Sequence, residues 1–269
     1  MAFLTLNGFE LAVSSTAGAT IERVFQGEYG RTANHRARSF VNATSDTRRG
    51  TTRLYESTEA ALLQQVLRGE GHVWPFDVSL YSSKGLGPFG TLPAGYLFQP
   101  EAGIALTPGL QLGEDTELTY VNPYYLSGAW TLAAWFNKEG EGFFHYVWTS
   151  PGLQYGNGVL GADVGDEFIT TAGIITLSVP SGVGNVLFDE MVLLPYVVPP
   201  TWPAWHYALG AGDAVLPPLS FLLAEGDWYG TPTQVLGQVG NGRTEQWTDG
   251  GVLKTGEAFE FMLHRREVY

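Results

Sequence analysis

The stretch NVLFDEMVLLPYVVPP, residues 185–200, decides how this chain is read. A strongly apolar run is broken by an acidic pair, Asp189-Glu190, and ends in prolines. On a regular strand, adjacent residues face opposite sides of the sheet. Two neighbouring carboxylates then cannot converge on one substrate. One is expected at solvent and the other at an edge or loop. A pair of glycosidase carboxylates needs about 5–10 Å between acids on one face. Sandwich glycanases meet that need with alternating acids, E-x-D-x-E, and no such pattern occurs here. The pair therefore reads as framework of a β-sandwich, and the chain as a non-enzyme.

Working outward, the middle of the chain repeats the same kind of segment. TELTYV (116–121), WTLAAWFN (130–137), GFFHYVWTS (142–150), GVLGADV (158–164) and GIITLSV (173–179) are short, apolar and separated by turn residues. That spacing predicts an antiparallel sandwich. The 35 glycines and 15 prolines favour turns over long helices. One helix is expected, over 57–69 in STEAALLQQVLRG. Ser57 is placed as its cap, Glu59 in the first turn, Arg68 in the last turn and Gly69 as the left-handed stop. HVWPFDVSLYSS (72–83) reads as a strand at an edge, because Pro75 lacks a ladder donor.

Charge divides the chain into three parts. Residues 1–84 carry a net +1, residues 85–201 a net −10 with Lys138 as the only basic residue, and residues 202–269 a net −4. Proline-rich joints flank the acidic part, in GPFGTLPAGYLFQP (87–100) and PYVVPPTWP (195–203). The expected organisation is an inserted sandwich at 99–201 within a domain built from 1–98 and 202–269. The overall class is mainly β: a ring-forming β-domain with one helix, plus an inserted antiparallel jelly roll.

Several chemistries are excluded. The chain has no cysteine, so disulfides and thiolate metal sites are absent. The five histidines, His35, His72, His145, His206 and His264, show no H-x-x-x-H spacing. No G-x-S-x-G elbow and no phosphate-binding loop occur, and GLGPFG (85–90) is interrupted by Pro88. No cofactor is implied. No apolar run approaches the ~20 residues of a membrane span. The N-terminus lacks a basic leader followed by an apolar core. A net charge of −13 argues against sequence-specific nucleic-acid binding.

Three groups remain as candidate contact residues. Trp130, Trp135, Tyr146 and Trp148 carry a sugar-stacking surface if exposed, or core if buried. Asp163, Asp166 and Glu167 in ADVGDEF form an acidic loop, either solvated or suited to Ca²⁺, which favours oxygen ligands. Arg31, Arg36, Arg38, Arg48, Arg49 and Arg53 form a basic loop over 31–53, either solvated or suited to pairing with acidic surface on a second subunit.

Two resemblances add to this. WTLAAWFNKEG (130–140) and VLFDEMVLLPYVVP (186–199) resemble strands of laminin-G and concanavalin-type jelly rolls. FLTLNGFELAV, the Arg-rich stretch GRTANHRARSFVNATSDTRRGTTRLY and STEAALLQQVLRGEGHVWPFDVSLYSSKGLGP together resemble the N-terminal domain of distal-tail and baseplate-type proteins of tailed bacteriophages. The implied role is a structural virion protein in the phage tail. It would form a homo-oligomeric ring, contact other tail proteins, and turn its sandwich outward toward a host-surface glycan. A carbohydrate- or receptor-binding module of the virion, or a capsid decoration protein, is the alternative. Residues 202–269 match no motif of that family.

Overall fold

The computed structural model describes residues 3–6, 9–11, 20–31, 37–68, 70–104, 107–138, 141–161, 168–171, 173–211, 222–225 and 235–268. The chain opens with β1 (Phe3–Leu6), β2 (Phe9–Glu10), β3 (Thr20–Arg31), β4 (Ala37–Thr51), β5 (Tyr55–Glu56) and α1 (Ser57–Leu67). Its middle carries β6 (His72–Trp74), β7 (Leu97–Gln99), β8 (Gly109–Leu112), β9 (Thr116–Val121), β10 (Thr131–Lys138) and β11 (Gly142–Thr149). These lead into β12 (Leu153–Gly156), β13 (Val159–Leu160), β14 (Phe168–Thr171), β15 (Ile174–Val179), β16 (Val186–Leu194) and α2 (Trp202–Ala211). The chain closes with β17 (Leu222–Glu225), β18 (Val235–Asp249) and β19 (Val252–Val268). The protein is mainly β, with antiparallel sheets.

The strands divide between two compact units: residues 1–69 with 217–269, and residues 70–216. The first unit is one sheet in the order β2-β1-β17-β18-β19-β4-β3, with β5 on β19. β1 and β2 pair antiparallel, with Leu6↔Phe9 as the last pair. Helix α1 buries Ala60, Leu63 and Val66, a helical i, i+3, i+6 stripe. Ser57 is its first residue, not its cap. The capping position is Glu56, without a side-chain cap, and the Ser57 hydroxyl donates to the Thr255 carbonyl. The helix ends at Leu67, with Arg68 as its C-terminal cap.

The second unit is a sandwich. One sheet has the order β13-β12-β11-β10-β16-β8-β7, with β6 on β16, and a three-stranded sheet has the order β14-β15-β9. The core is built from alternate residues of the facing strands: Leu132, Ala134 and Phe136 of β10, Leu110 and Leu112 of β8, Leu118 and Tyr120 of β9, Ile175 and Leu177 of β15. Strand β10 is buried on both faces from Thr131 to Phe136, because α2 and the segment after β16 cover its outer side.

The boundaries of the insert are wider than the charge pattern implied. Residues 70–98 belong to the sandwich and not to the flanking domain. Strand β6 pairs with β16, through Trp74↔Met191. The Trp74 indole N–H donates to Leu86 O, Tyr120 OH donates to Leu80 O, and Phe89 N donates to Thr119 O. The first bond closes the segment on itself, and the other two, with the β6–β16 ladder, stitch it onto the sandwich. Only His72–Trp74 of the expected 72–83 strand forms, since Pro75 ends the ladder. At the other side, residues 202–211 form a second helix and also belong to the sandwich unit.

Candidate functional site

Three connections meet at one end of the sandwich: 122–130 between β9 and β10, 150–152 between β11 and β12, and the turn at 173–174. They enclose an open cleft of about 510 Å³ lined by Asn122, Tyr125, Leu126, Trp130, Trp148 and Ser150, with Gly128, Gly152 and Ile174. A 3-10 turn at Tyr125–Ser127 presents two side chains. Tyr125 is 43% exposed and Leu126 is 95% exposed. The turn is fixed at both ends. The Asn122 carboxamide accepts from Tyr124 N at 2.9 Å, and Gly128 closes it with φ of 72°. Gly173 lets the wall form: at φ of 84°, a Cβ there would stand 3.1 Å from the Tyr125 ring. Ser150 ties the two main walls together, its N–H donating to Trp130 O and its hydroxyl to Gly128 O.

Trp130 and Trp148 form the aromatic floor, with ring centroids 6.3 Å apart and planes at 46°. Trp148 is half-buried, and Trp130 is buried with only 6% of its surface exposed. No lining residue carries a charge. An aromatic floor with neutral polar edges suits the C–H face of a sugar ring and its hydroxyls.

The structure separates the four aromatics expected to act together. Trp130, Tyr146 and Trp148 lie on the core side, and only Trp130 and Trp148 reach the cleft. Trp135 lies on the opposite face of β10 and is buried, because an odd separation from Trp130 reverses the side. Tyr146 is fully buried. Neither offers a stacking surface. Tyr125 and Leu126 were not anticipated. The signal for them was NPYYLSG, a proline-started, glycine-ended turn between two strands.

Asp189 is fully buried, contrary to the expected placement at solvent or an edge. Its Oδ2 accepts from Ile104 N at 2.8 Å and from the Thr107 hydroxyl at 3.3 Å, and Oδ1 accepts from Glu190 N. The carboxylate latches the 103–107 turn onto β16. The alternation argument fails locally because of a β-bulge. Ala133 pairs with Val192 and Trp135 with Asp189, so two residues face Ala134 alone. Glu190 sits in that bulge at φ of 46°. Burial pushes Asp189 up to about 7 and Glu190 to about 8, with Asp77 adding repulsion to both.

Among the described residues, no group of three or more metal-type side chains gathers. Asp163, Asp166 and Glu167 lie outside the described residues, as does Arg36. The other arginines do not form a loop. Arg31, Arg38, Arg48 and Arg49 are strand positions in the β3–β4 hairpin, with Arg31↔Ala37, Gly30↔Arg38, Ile21↔Arg48 and Thr20↔Arg49. Arg53 lies 4.5 Å over the Tyr55 ring and 3.4 Å from Glu59. No described helix is long and apolar enough to cross a membrane.

No protein-family model matches the sequence, and no curated protein sequence does. Among solved structures, the botulinum neurotoxin type G receptor binding domain is similar at 10% identity and a TM-score of 0.35, over 52% of this chain and 51% of that one. The binding domain of paraclostridial mosquitocidal protein 1 is similar at 8% identity and 0.38, over 68% and 66%. The binding domain of botulinum neurotoxin DC, in complex with SialylT, is similar at 8% and 0.37, over 70% and 77%. The chain spans about half the length of the first of these. The overlap is partial, and the cleft stands on this chain's own residues.

Proposed function

We propose that this protein is a non-enzymatic subunit of a tailed-phage virion whose sandwich receives a neutral glycan in the cleft at Tyr125, Trp130 and Trp148. The observation that carries the glycan reading is the cleft itself: an aromatic floor, an exposed tyrosine and leucine at the lip, and no charge in the lining. The acidic field of residues 85–201 disfavours anionic sugars. Asp189, one of the two acids within 185–200, is committed elsewhere. Asp189 is sealed under three hydrogen bonds and holds a turn.

The virion part rests on the resemblance of residues 3–88 to distal-tail and baseplate proteins. The location is then the phage tail, in a homo-oligomeric ring beside other tail proteins. A capsid decoration role shares every feature named here except position in the particle.

Calorimetric titration against neutral oligosaccharides and sialylated ones tests the glycan reading. Saturable binding of a neutral sugar, reduced at least about tenfold in Tyr125→Ala with an unchanged Tm, supports it. The loss of one aromatic stacking contact is of that size. No binding across the panel, or binding that survives both Tyr125→Ala and Trp148→Ala, rejects it.

A further inference from the structure

At the far end of β10, on its other face, a second cleft opens. It is about 210 Å³ and is lined by Gln99, Gln111, Asn137, Asn185 and Leu187, with Ala102. We infer that it is a second binding site, for one residue of a neutral, hydroxyl-rich ligand such as a sugar.

The register builds it. Gln111 pairs with Leu187, and Leu187 with Asn137, so the three form one row across β8, β16 and β10. Their neighbours Leu110, Leu112, Val186, Phe188 and Phe136 fill the sandwich core, which turns the row outward. Adjacent strands lie ~4.8 Å apart, so the row spans about 10 Å. Gln99 reaches in from β7 and donates from Nε2 to Gln111 Oε1 at 2.6 Å, which leaves each of these amides one polar atom to offer.

Asn137 marks the site as built for a ligand. Its Oδ1 is buried and has no hydrogen-bond partner among the described residues. A buried acceptor left unmade is costly, so a ligand hydroxyl that donates to it gains more than one that meets an already paired group. No ionisable side chain lines this cleft, so its four carboxamides bring no formal charge to draw an ion. Carboxamides donate and accept at once, as hydroxyl groups do. Leu187 in the centre gives the C–H face of a ring an apolar seat. A peptide would find its ladder partners at a strand edge, whereas this row lies on the face of a sheet.

The site is independent of the aromatic cleft. Trp130 stands just before β10 and Asn137 is seven positions on, with its side chain on the opposite face. The test follows side-chain amide resonances of protein labelled with ¹⁵N in Asn and Gln, titrated with neutral mono- and disaccharides and with a neutral glycine-rich peptide. Saturable shifts of the Gln99, Gln111, Asn137 and Asn185 amides with a sugar support the site. Loss of those shifts in Asn137→Leu, with a Tm equal to or above wild type, supports it further, because filling an unmade acceptor with an apolar group does not weaken the fold. Gln111→Leu gives a second folded variant with the same expected loss. Shifts confined to the Tyr125 cleft overturn this site and leave the aromatic cleft standing. A response to the peptide alone, or to nothing in the panel, also overturns it.

Discussion

His145 Nε2 and His206 Nδ1 lie 2.9 Å apart, so two imidazoles from β11 and α2 share one hydrogen bond out of contact with water. Aromatic rings enclose the pair. Trp202 stacks on His206 at 4.3 Å and 13°, Trp135 lies 4.6 Å from His145, and Tyr207 stacks on Trp135 at 5.7 Å. The contact joins α2 to the outer face of the sandwich sheet. It works only while both rings are neutral. Burial holds His145 well below the ordinary histidine value and His206 down at about 3, and His206 adds to the opposition against charge on His145.

Acid should therefore loosen this contact in a defined direction. Both folded values lie below the unfolded value near 6.5, so the stability they allow is complete above about pH 6.5. As pH falls, the unfolded chain takes up protons that the folded chain refuses, and stability drops. The loss approaches ~1.4 kcal/mol per pH unit for each histidine and continues for His206 to about pH 3. Asp189 and Glu190 act in the opposite sense. Their folded values, about 7 and about 8, lie above the unfolded ones, so they stabilise as pH falls from 8 toward about 4. Denaturant titrations should show a shallow dependence between about pH 4.5 and 6.5. Replacing both acids, Asp189→Asn with Glu190→Gln, should expose the histidine slope. A flat profile in that double variant would remove the histidine pair from the account.

Gly103→Ala should damage the Asp189 latch without touching a charge. A Cβ at Gly103 would stand within 3.0 Å of Asp189 Oδ2, Thr107 O and Pro108 O, two of them backbone atoms. The turn must shift and leave the carboxylate partly unpaired, at a cost of about 1–3 kcal/mol. Asp189→Ala strands the Ile104 and Glu190 N–H groups and should cost a similar amount. Thermal unfolding of both variants checks the pair. If either unfolds within a degree of wild type, the latch is not what holds the 103–107 turn.

The strand content of the sandwich was legible in the sequence, because apolar runs between turn residues leave little choice. TELTYV became β9 residue for residue, and WTLAAWFN became β10 displaced by one position. The bulge at Glu190 was not legible, since a bulge is set by pairing between strands distant in sequence. Nor was the burial of Trp135, which depends on α2 arriving over the sheet. The charge boundaries misplaced residues 70–98, because charge records surface composition and not ladder pairing. The cleft was half visible: Trp130 and Trp148 were named, while Tyr125 and Leu126 came from a turn whose direction only the fold fixes.

Thr52 offers a test inside the first unit that needs no ligand. Its hydroxyl accepts from Phe259 N at 3.0 Å and donates to Arg53 O at 2.9 Å, and the residue is buried. Thr52→Val keeps the shape and strands the Phe259 N–H, at a cost of about 1–3 kcal/mol. Chemical denaturation should show the loss with an unchanged slope. An unchanged midpoint would mean that the Thr52 hydroxyl adds nothing to a junction already held by the Thr52 N–H to Phe259 O bond and the β4–β19 ladder.

Assembly is the remaining expectation, and its electrostatics can be separated residue by residue. Arg31 and Arg38 occupy the far end of the β3–β4 hairpin, while residues 85–201 carry a net −10, so copies of the chain hold complementary charge. Arg53 already faces Glu59 and Tyr55 within its own unit. The mass of the purified chain should rise to a defined multiple at low salt and fall as salt screens the contact over about 8–10 Å. Arg31→Glu with Arg38→Glu should shift the population toward monomer at low salt. Arg53→Ala should leave the mass unchanged and cost less than about 1 kcal/mol, as exposed pairs do. A monomer at every concentration and salt would refute self-assembly through these arginines. A salt-indifferent oligomer would move the contact from the arginines to the strands themselves.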